Sequence, residues 1–189
     1  MNKISPDSYL PNFFQQNARE HSLPKRAKIL ASVSLGRLMD SAIQGIIIAL
    51  DNTIVSEDDR YISPYAVTWI NLAKQLGFKI FILSNGKHTY RVKFWSNRLD
   101  IPAIHSARKP FPTAFRRALR HMQLPPERVV VIGDSYHTDI LGAWIAGCHS
   151  IQVASLPHRP KLWEKLIGRY VQTTYPRGQE LWEFKSSNY

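Results

Sequence analysis

The sequence has little cysteine, few acidic residues and no long apolar run. Cys148 is the only cysteine among 189 residues, so no disulfide can form within the chain, as is typical of a reducing compartment. We interpret it as a small core residue and not as a nucleophile. The longest apolar run, residues 46–50, is far too short to cross a bilayer, and residues 1–7 lack the apolar core of a secretory signal. These absences predict a cytoplasmic protein whose contact with any membrane is peripheral.

The scarcity of acidic residues leaves a strongly basic chain. Asp and Glu number 14 against 25 Lys and Arg, which gives a formal net charge of +11. Residues 85–128 hold ten of the basic residues and only two acidic ones, Asp100 and Glu127. Such an excess implies an anionic partner, which could be phosphate groups, acidic lipid headgroups or nucleic acid. No recognisable nucleic-acid module is present, so we expect no specific nucleic-acid partner. Nothing in the sequence indicates an oligomeric state.

The apolar segments indicate one α/β domain, and 44% hydrophobic content in a chain of this length suffices for a single core. Strand-like and helix-like segments alternate, which predicts a parallel sheet with right-handed crossovers and helices on its faces. Strands are predicted at residues 46–53, 78–83, 103–105, 128–132 and 150–153. Helices are predicted at residues 64–76, 89–99, 113–122 and 138–146.

The two ends of the chain are expected to lie outside the core, which we place at residues 45–170. Residues 1–44 predict two helical pieces, of which the second, residues 25–39, is a basic amphipathic helix. Such a helix can pack on the domain or lie on an anionic membrane. Leu162, Leu166 and Tyr170 predict a further amphipathic helix. Residues 171–189 are assigned to a C-terminal tail, whose final dozen residues are expected to be loosely packed or disordered.

Polar residues follow the predicted strands at the points where they end. They are Asp51 and Thr53, Ser84 and Asn85, Lys109, and Asp134 and Asp139. Because the carboxyl ends of parallel strands meet at one edge of a sheet, these side chains are expected to converge. Phosphoryl transfer through a carboxylate needs such a set of acids, hydroxyl and amide donors, a lysine and an acidic ligand for Mg²⁺.

These motifs together resemble the haloacid dehalogenase (HAD) phosphatases, and within them the YqeG-like branch that includes phosphatidylglycerophosphate phosphatases. The resemblance rests on four segments: Leu50-Asp51-Asn52-Thr53, Ser84-Asn85 with Arg91 after it, Arg108-Lys109-Pro110, and Gly133-Asp134 with Thr138-Asp139. It implies a HAD-like Rossmannoid fold and a Mg²⁺-dependent hydrolysis that passes through an aspartyl-phosphate. The implied reaction converts phosphatidylglycerophosphate to phosphatidylglycerol at an anionic membrane surface.

The resemblance also implies a role for each matching residue. Asp51 corresponds to the general acid/base, and its backbone carbonyl faces the metal. Ser84 and Asn85 hold phosphoryl oxygens, and Lys109 neutralises the aspartyl-phosphate. Asp134 binds Mg²⁺. The supporting positions are Thr53, in the turn after the first strand, and Asp139, which orients Lys109 or the metal shell.

The sequence departs from the family pattern at Ala49, where the nucleophilic aspartate belongs. A methyl group cannot attack phosphorus, so we expect a catalytically dead chain. One missing carboxylate in an otherwise complete set favours an inactivated variant over a natural pseudophosphatase that binds a phosphate ligand or acts in assembly. A second register remains open, in which Asp51 is the nucleophile and Thr53 takes the acid/base position, as in cation-pumping ATPases.

Neither insertion point of the family has room for a cap domain, so an open mouth is expected. The basic residues expected around it are Lys87, Arg91, Lys93, Arg108, Arg116, Arg117 and Arg120. An open basic mouth suits a phosphate on something large, which could be a lipid headgroup, a protein or a nucleic-acid end. Phe13, Phe14 and the basic helix 25–39 are the expected membrane contacts.

Overall fold

A computed structural model describes residues 22–160 and 162–184 of the chain. A parallel sheet lies at its centre. The strands are β1 Arg26–Ala27, β2 Gly45–Ala49, β3 Tyr61–Ile62, β4 Lys79–Leu83, β5 Ala103–Ile104, β6 Val129–Gly133, β7 His149–Val153 and β8 Trp182–Glu183. Six of them form one sheet in the order β1-β7-β6-β2-β4-β5, with every neighbouring pair parallel. The other two, β3 and β8, pair antiparallel.

Helices cover both faces of the sheet and enclose two apolar clusters. The α-helices are α1 Leu35–Asp40, α2 Ala66–Gln75, α3 Thr89–Leu99, α4 Pro112–Met122, α5 Leu141–Ala146 and α6 Leu162–Val171. The larger cluster packs α1, α2 and α3 against one face, and the smaller packs α4 and α5 against the other. All five residues of β2 are buried, as expected for a central strand that is covered on both sides.

The predicted fold class is confirmed, because the core alternates strands and helices in the predicted order around a parallel sheet. The first strand, however, ends at Ala49 and not at Thr53, because residues 52–54 form a turn. The helix predicted at residues 89–99 is α3, and the strand predicted at residues 78–83 is β4. A π-helical turn, Tyr136–Ile140, precedes α5. As predicted, the segments between β2 and β4 and between β4 and Lys109 hold no cap domain. Within the described residues, no helix is long and apolar enough to cross a membrane.

The prediction of a basic amphipathic helix over residues 25–39 is wrong. Arg26 and Ala27 form the edge strand β1, paired with Gln152 and Val153 of β7. The backbone N–H of Gln152 donates to the carbonyl of Lys25 at 2.9 Å. Only α1 is α-helical in this stretch. The unpaired edge of β7 offers backbone hydrogen bonds that outweigh a weak helical periodicity. The first predicted piece, with Tyr9, Leu10, Phe13 and Phe14, lies outside the described residues.

The prediction that the final dozen residues are loosely packed is wrong for residues 178–184, the part of them that the structure describes. Strand β8 pairs with β3, with Trp182 opposite Ile62. The ring of Phe184 lies 4.8 Å from that of Trp95, and the guanidinium of Arg98 lies 5.5 Å from the Phe184 ring centroid. Two aromatic side chains two residues apart are enough to anchor a short strand but too few to show a sequence period. Residues 185–189 lie outside the described part.

Candidate active site

A cavity of about 360 Å³ opens at the carboxyl ends of β2, β4 and β6. The residues that line it are Asp51, Asn52, Glu57, Asn85, Gly86, Lys87, His88, Lys109, Asp134, Ser135, His137, Thr138, Asp139, Glu164 and Gln172. Five of the seven polar residues predicted at the strand ends therefore line one cavity. The other two, Thr53 and Ser84, do not line it but contact Asp134 and Asp51, which do. The parallel register of the three strands brings them there, because residues far apart in sequence end on the same edge of the sheet.

Ala49 ends β2 beside the lysine of the site. It is paired in register with Leu83 of β4. The carbonyl of Leu83 accepts a hydrogen bond from Nζ of Lys109 at 3.2 Å. Ala49 is buried, and its methyl group offers no ligand and no nucleophile. Ala49 does not itself line the cavity, and its strand neighbour Leu83 links it to Lys109, whose ammonium is paired with Asp139.

Asp51 has a partner on each of its carboxylate oxygens. The hydroxyl of Ser84 donates to Oδ2 at 2.6 Å, and Nη1 of Arg91 contacts Oδ1. The backbone N–H of Gly86 donates to the Ser84 hydroxyl at 3.0 Å. The next residue, Asn52, has a φ of +57°, a left-handed conformation that asparagine tolerates better than most residues. This turn aims Asp51 into the cavity.

Lys109 is fixed from two directions. Its Nζ contacts Oδ1 of Asp139 at 2.6 Å, and both side chains are at least 94% buried. Its backbone N–H donates to Oδ1 of Asn85 at 2.7 Å, and the Asn85 amide returns a bond to the Lys109 carbonyl. A Cβ atom at Gly133 would lie 2.4 Å from Cγ of Asp139, so only glycine allows this approach. The contact predicted between Asp139 and Lys109 is present.

Asp134 is the most perturbed acid of the site. It is buried, and burial together with the charge of Asp139 raises its pKa to about 7. Nε2 of Gln172 donates to its Oδ2 at 3.1 Å, and the Thr53 hydroxyl reaches its Oδ1 at 3.5 Å. A carboxylate held in this way is costly to ionise unless a cation lies beside it.

The expectation of a basic mouth is wrong for this cavity. Its lining carries five carboxylates against the two lysines, Lys87 and Lys109. Arg91 points inward, where Nε contacts Asp59 at 2.9 Å, and the two carboxylates raise the pKa of Arg91 although burial lowers it. Arg108 and Arg117 line a separate cavity. Lys93, Arg116 and Arg120 line neither cavity. Proximity in sequence to the motifs does not fix the direction of a side chain.

Residues from the segment after β7 complete the site, and no motif in the sequence predicts them. Glu164 and Gln172 of this segment line the cavity. Nε2 of His158 lies 3.2 Å from Oε2 of Glu164. Burial lowers the pKa of His158, but the Leu156 carbonyl and Glu164 raise it above its ordinary value. The apolar period of α6 predicts a helix but not that its polar side reaches the cavity.

The donors present fit a weakly held hard cation. Asp134 supplies a buried carboxylate of the kind that Mg²⁺ prefers, and a cation beside it would offset the burial and the Asp139 charge that raise its pKa to about 7. Across residues 22–160 and 162–184, however, no three His, Cys, Asp or Glu side chains are grouped to hold a metal ion. Ala49 is the position where a further carboxylate is absent. Mg²⁺ tolerates few protein ligands because it keeps several waters.

Comparisons with known proteins show which proteins this chain resembles. A family model described as HAD-hydrolase-like matches residues 106–173. The chain is 38% identical over 148 residues to the "Probable phosphatase YqeG" of Bacillus subtilis (strain 168). The aligned region covers 78% of this chain and 76% of that protein.

Solved structures show the same fold at low identity. An uncharacterized protein from Listeria monocytogenes serotype 4b superposes with a TM-score of 0.52 at 23% identity, over 64% of this chain and 85% of that one. The cobalt-bound deoxy-D-mannose-octulosonate 8-phosphate phosphatase (YrbI) of Haemophilus influenzae superposes with a TM-score of 0.50 at 17% identity, over 62% and 72%. Both similarities concern the architecture that positions the cavity.

Proposed function

The chain belongs to the HAD-like phosphatase family, and we propose that its cavity binds the phosphomonoester of a phospholipid while lacking the nucleophile that would cleave it. The observation that carries this proposal is the place of Ala49, paired with the Leu83 whose carbonyl binds Lys109. A carboxylate at position 49 would lie beside the ammonium that balances an aspartyl-phosphate. Asp51, two residues further on, has the Ser84 hydroxyl as its partner.

In this proposal the residues of the site divide the binding of a phosphoryl group among them. Ser84, the backbone of Asn85 and Lys109 hold its oxygens. Asp139 keeps Lys109 in place, and Asp51 acts on the leaving oxygen. Asp134 and the backbone carbonyl of Asp51 would hold Mg²⁺, which when bound offsets the negative charge of the phosphoryl oxygens. With Ala49 in place, the covalent step is absent and the chain binds without turnover.

The proposed substrate is phosphatidylglycerophosphate at an anionic membrane surface, which the chain meets peripherally. Helix α6 supports this choice. Leu162, Leu166 and Tyr170, spaced four residues apart, are 70–81% exposed, while Glu164 of the same helix lines the cavity. An apolar face beside a phosphate site is suited to the interface of a bilayer. The net charge of +11 adds attraction to anionic lipid.

The test is phosphate release by the Ala49→Asp variant in Mg²⁺. Vesicles that contain phosphatidylglycerophosphate are compared with p-nitrophenyl phosphate, a small soluble ester. Ala49→Asn serves as the matched control, because an amide has nearly the same shape and is not a comparable nucleophile. We expect release from the lipid by Ala49→Asp alone. Cleavage of the soluble ester without the lipid would reject the lipid substrate in favour of a soluble, protein or nucleic-acid-end phosphoester.

A second candidate function is that of a natural phosphate-binding or assembly protein. This function needs phosphate binding alone, and Asp51, Ser84 and Lys109 keep their partners although position 49 has no carboxylate. If Ala49→Asp folds and binds phosphate but releases none from any ester, this second function is supported and the first is rejected.

A further inference from the structure

A second cavity, of about 430 Å³, lies on the other side of the loops that form the phosphate site. Arg108 and Arg117 line it together with the hydroxyl residues Ser106 and Thr113 and the ring of Phe111. The loop after β5 and the first turns of α4 supply these residues. None of these five lines the first cavity.

The two cavities share a wall. The backbone N–H of Ala107 donates to the carbonyl of Ser84 at 2.9 Å, and the N–H of Ser106 donates to the carbonyl of Gly86 at 3.0 Å. Arg108 is bonded to Lys109, and these neighbours line different cavities. The loop of residues 106–109 therefore lies between the two cavities and supplies residues to both.

The two guanidinium groups of the second cavity are available to a ligand. Both arginines are exposed, and among the ion pairs of the described residues neither has an acidic partner. Arg91, in contrast, is committed to Asp51 and Asp59. Two unpaired cations that line one cavity repel each other, so an anion between them is stabilising.

The loop that carries Arg108 has an uncommon backbone. Ser106 has a φ of +48° and Arg108 a φ of +54°, a left-handed conformation that disfavours residues with a side chain. Such conformations occur often where a loop positions groups for binding. Here the conformation turns Arg108 to the second cavity while the next residue, Lys109, faces the first.

We infer that the second cavity is an anion subsite, which binds a further phosphate of a substrate whose phosphomonoester lies beside Lys109. This inference rests on the proposed function. One arginine guanidinium group can bind two oxygens of a phosphate at once, and it remains charged at every physiological pH. A phosphodiester a few bonds from the monoester has the chemistry that this arrangement recognises. A phosphodiester beside a phosphomonoester occurs in a lipid headgroup and also in a soluble compound without acyl chains.

The experiment uses the full chain with Ala49, which we expect to bind without turnover. Calorimetry compares glycerol 3-phosphate, a monoester alone, with glycerophosphoglycerol phosphate, which adds a phosphodiester and has no acyl chains. We expect the second ligand to bind about tenfold more tightly, the effect of one or two charged hydrogen bonds. Arg117→Ala should remove this advantage. The matched control, Arg116→Ala, removes the same charge from the same helix outside the cavity and should keep the advantage.

The outcomes separate this inference from the proposed function. The subsite is rejected, and the phosphate site stands, if glycerol 3-phosphate binds as tightly as glycerophosphoglycerol phosphate. The same conclusion follows if Arg116→Ala and Arg117→Ala change the two affinities equally. If neither ligand binds, both proposals are rejected. Vesicles with phosphatidylglycerophosphate form a further arm. If Arg117→Ala lowers the affinity for these vesicles as much as the affinity for glycerophosphoglycerol phosphate, the subsite is assigned to the lipid headgroup. If it lowers only the affinity for the soluble compound, the subsite is assigned to a soluble ligand.

Discussion

Arg91 and Ser84 bind opposite oxygens of the same carboxylate, that of Asp51. The guanidinium also holds both oxygens of Asp59 and the carbonyl of Ser56. The residue predicted to act as acid/base is thus fixed by one neutral and one charged partner. Arg91 comes from α3 and Ser84 follows β4, so two elements position this side chain.

Removal of the Arg91 side chain should destabilise the fold. Arg91→Ala leaves Asp51 and Asp59 close together without a cation, and the three side chains are only 15–23% exposed. We expect a loss of about 1–3 kcal/mol in the free energy of unfolding, measured by urea denaturation. Lys93→Ala, an exposed change on the same helix, should cost less than about 0.5 kcal/mol. Equal effects of the two changes would contradict this role for Arg91.

Asp134 should make the metal-free protein less stable as the pH rises. The native state holds its proton up to a pKa of about 7, whereas the unfolded chain releases it near pH 4. The native state therefore binds more protons between these values, and the free energy of unfolding falls with rising pH. We expect a fall of about 2–3 kcal/mol from pH 5 to pH 8 in EDTA. In Asp134→Asn, the free energy of unfolding should not show this fall with pH.

Addition of Mg²⁺ at pH 8 completes this measurement. The cation should raise the free energy of unfolding of the unaltered chain, because it binds the native ionised Asp134. It should leave Asp134→Asn unchanged. An equal response of the two proteins to Mg²⁺ would place the cation elsewhere.

The pair of His158 and Glu164 should anchor α6 more firmly at low pH. Since the folded pKa of His158 is raised, this stabilisation is complete below its ordinary value of 6.5. It is lost as the pH rises through the higher folded value. Amide hydrogen exchange of α6, corrected for the intrinsic pH effect, should show roughly fivefold greater protection at pH 6 than at pH 8. Glu164→Gln should abolish the difference, and Lys165→Gln, exposed on the next position, should retain it.

Phe184, which follows β8, should contribute to global stability. Its ring packs on Trp95, which is fully buried. Phe184→Ala should lower the free energy of unfolding by about 1–3 kcal/mol, measured by thermal denaturation. Phe111→Ala, which removes a ring that is 67% exposed, should change it by less than about 0.5 kcal/mol. A tail that is loosely attached would make both changes equally mild.

The sequence predicts the core well because that information is local. The apolar run of β2 and the glycine after α5 mark their elements without reference to the rest of the chain. The convergence of Asp51, Ser84, Lys109 and Asp134 follows from the parallel order of the strands alone. The contact of Lys109 with Asp139 was implied by the family motif.

What the sequence does not predict depends on distant partners. Residues 26 and 27 form a strand only because β7 has a free edge. Arg91 and Arg117 carry the same charge in the same basic stretch, yet one faces Asp51 and the other a separate cavity. Gln172 reaches Asp134 across 38 positions of sequence. Side-chain direction and long-range packing decide these cases, and neither has a local sequence signature.

The location of a phosphoryl adduct tests most directly whether position 49 is where the nucleophile belongs. The unaltered chain, Ala49→Asp and Ala49→Asn are incubated with substrate in Mg²⁺, quenched in acid and mapped by mass spectrometry. We expect an aspartyl-phosphate on residue 49 of Ala49→Asp and no adduct in the other two proteins. An adduct on Asp51 of the unaltered chain would contradict this expectation, because Asp51 would then be the nucleophile and the site would already be complete.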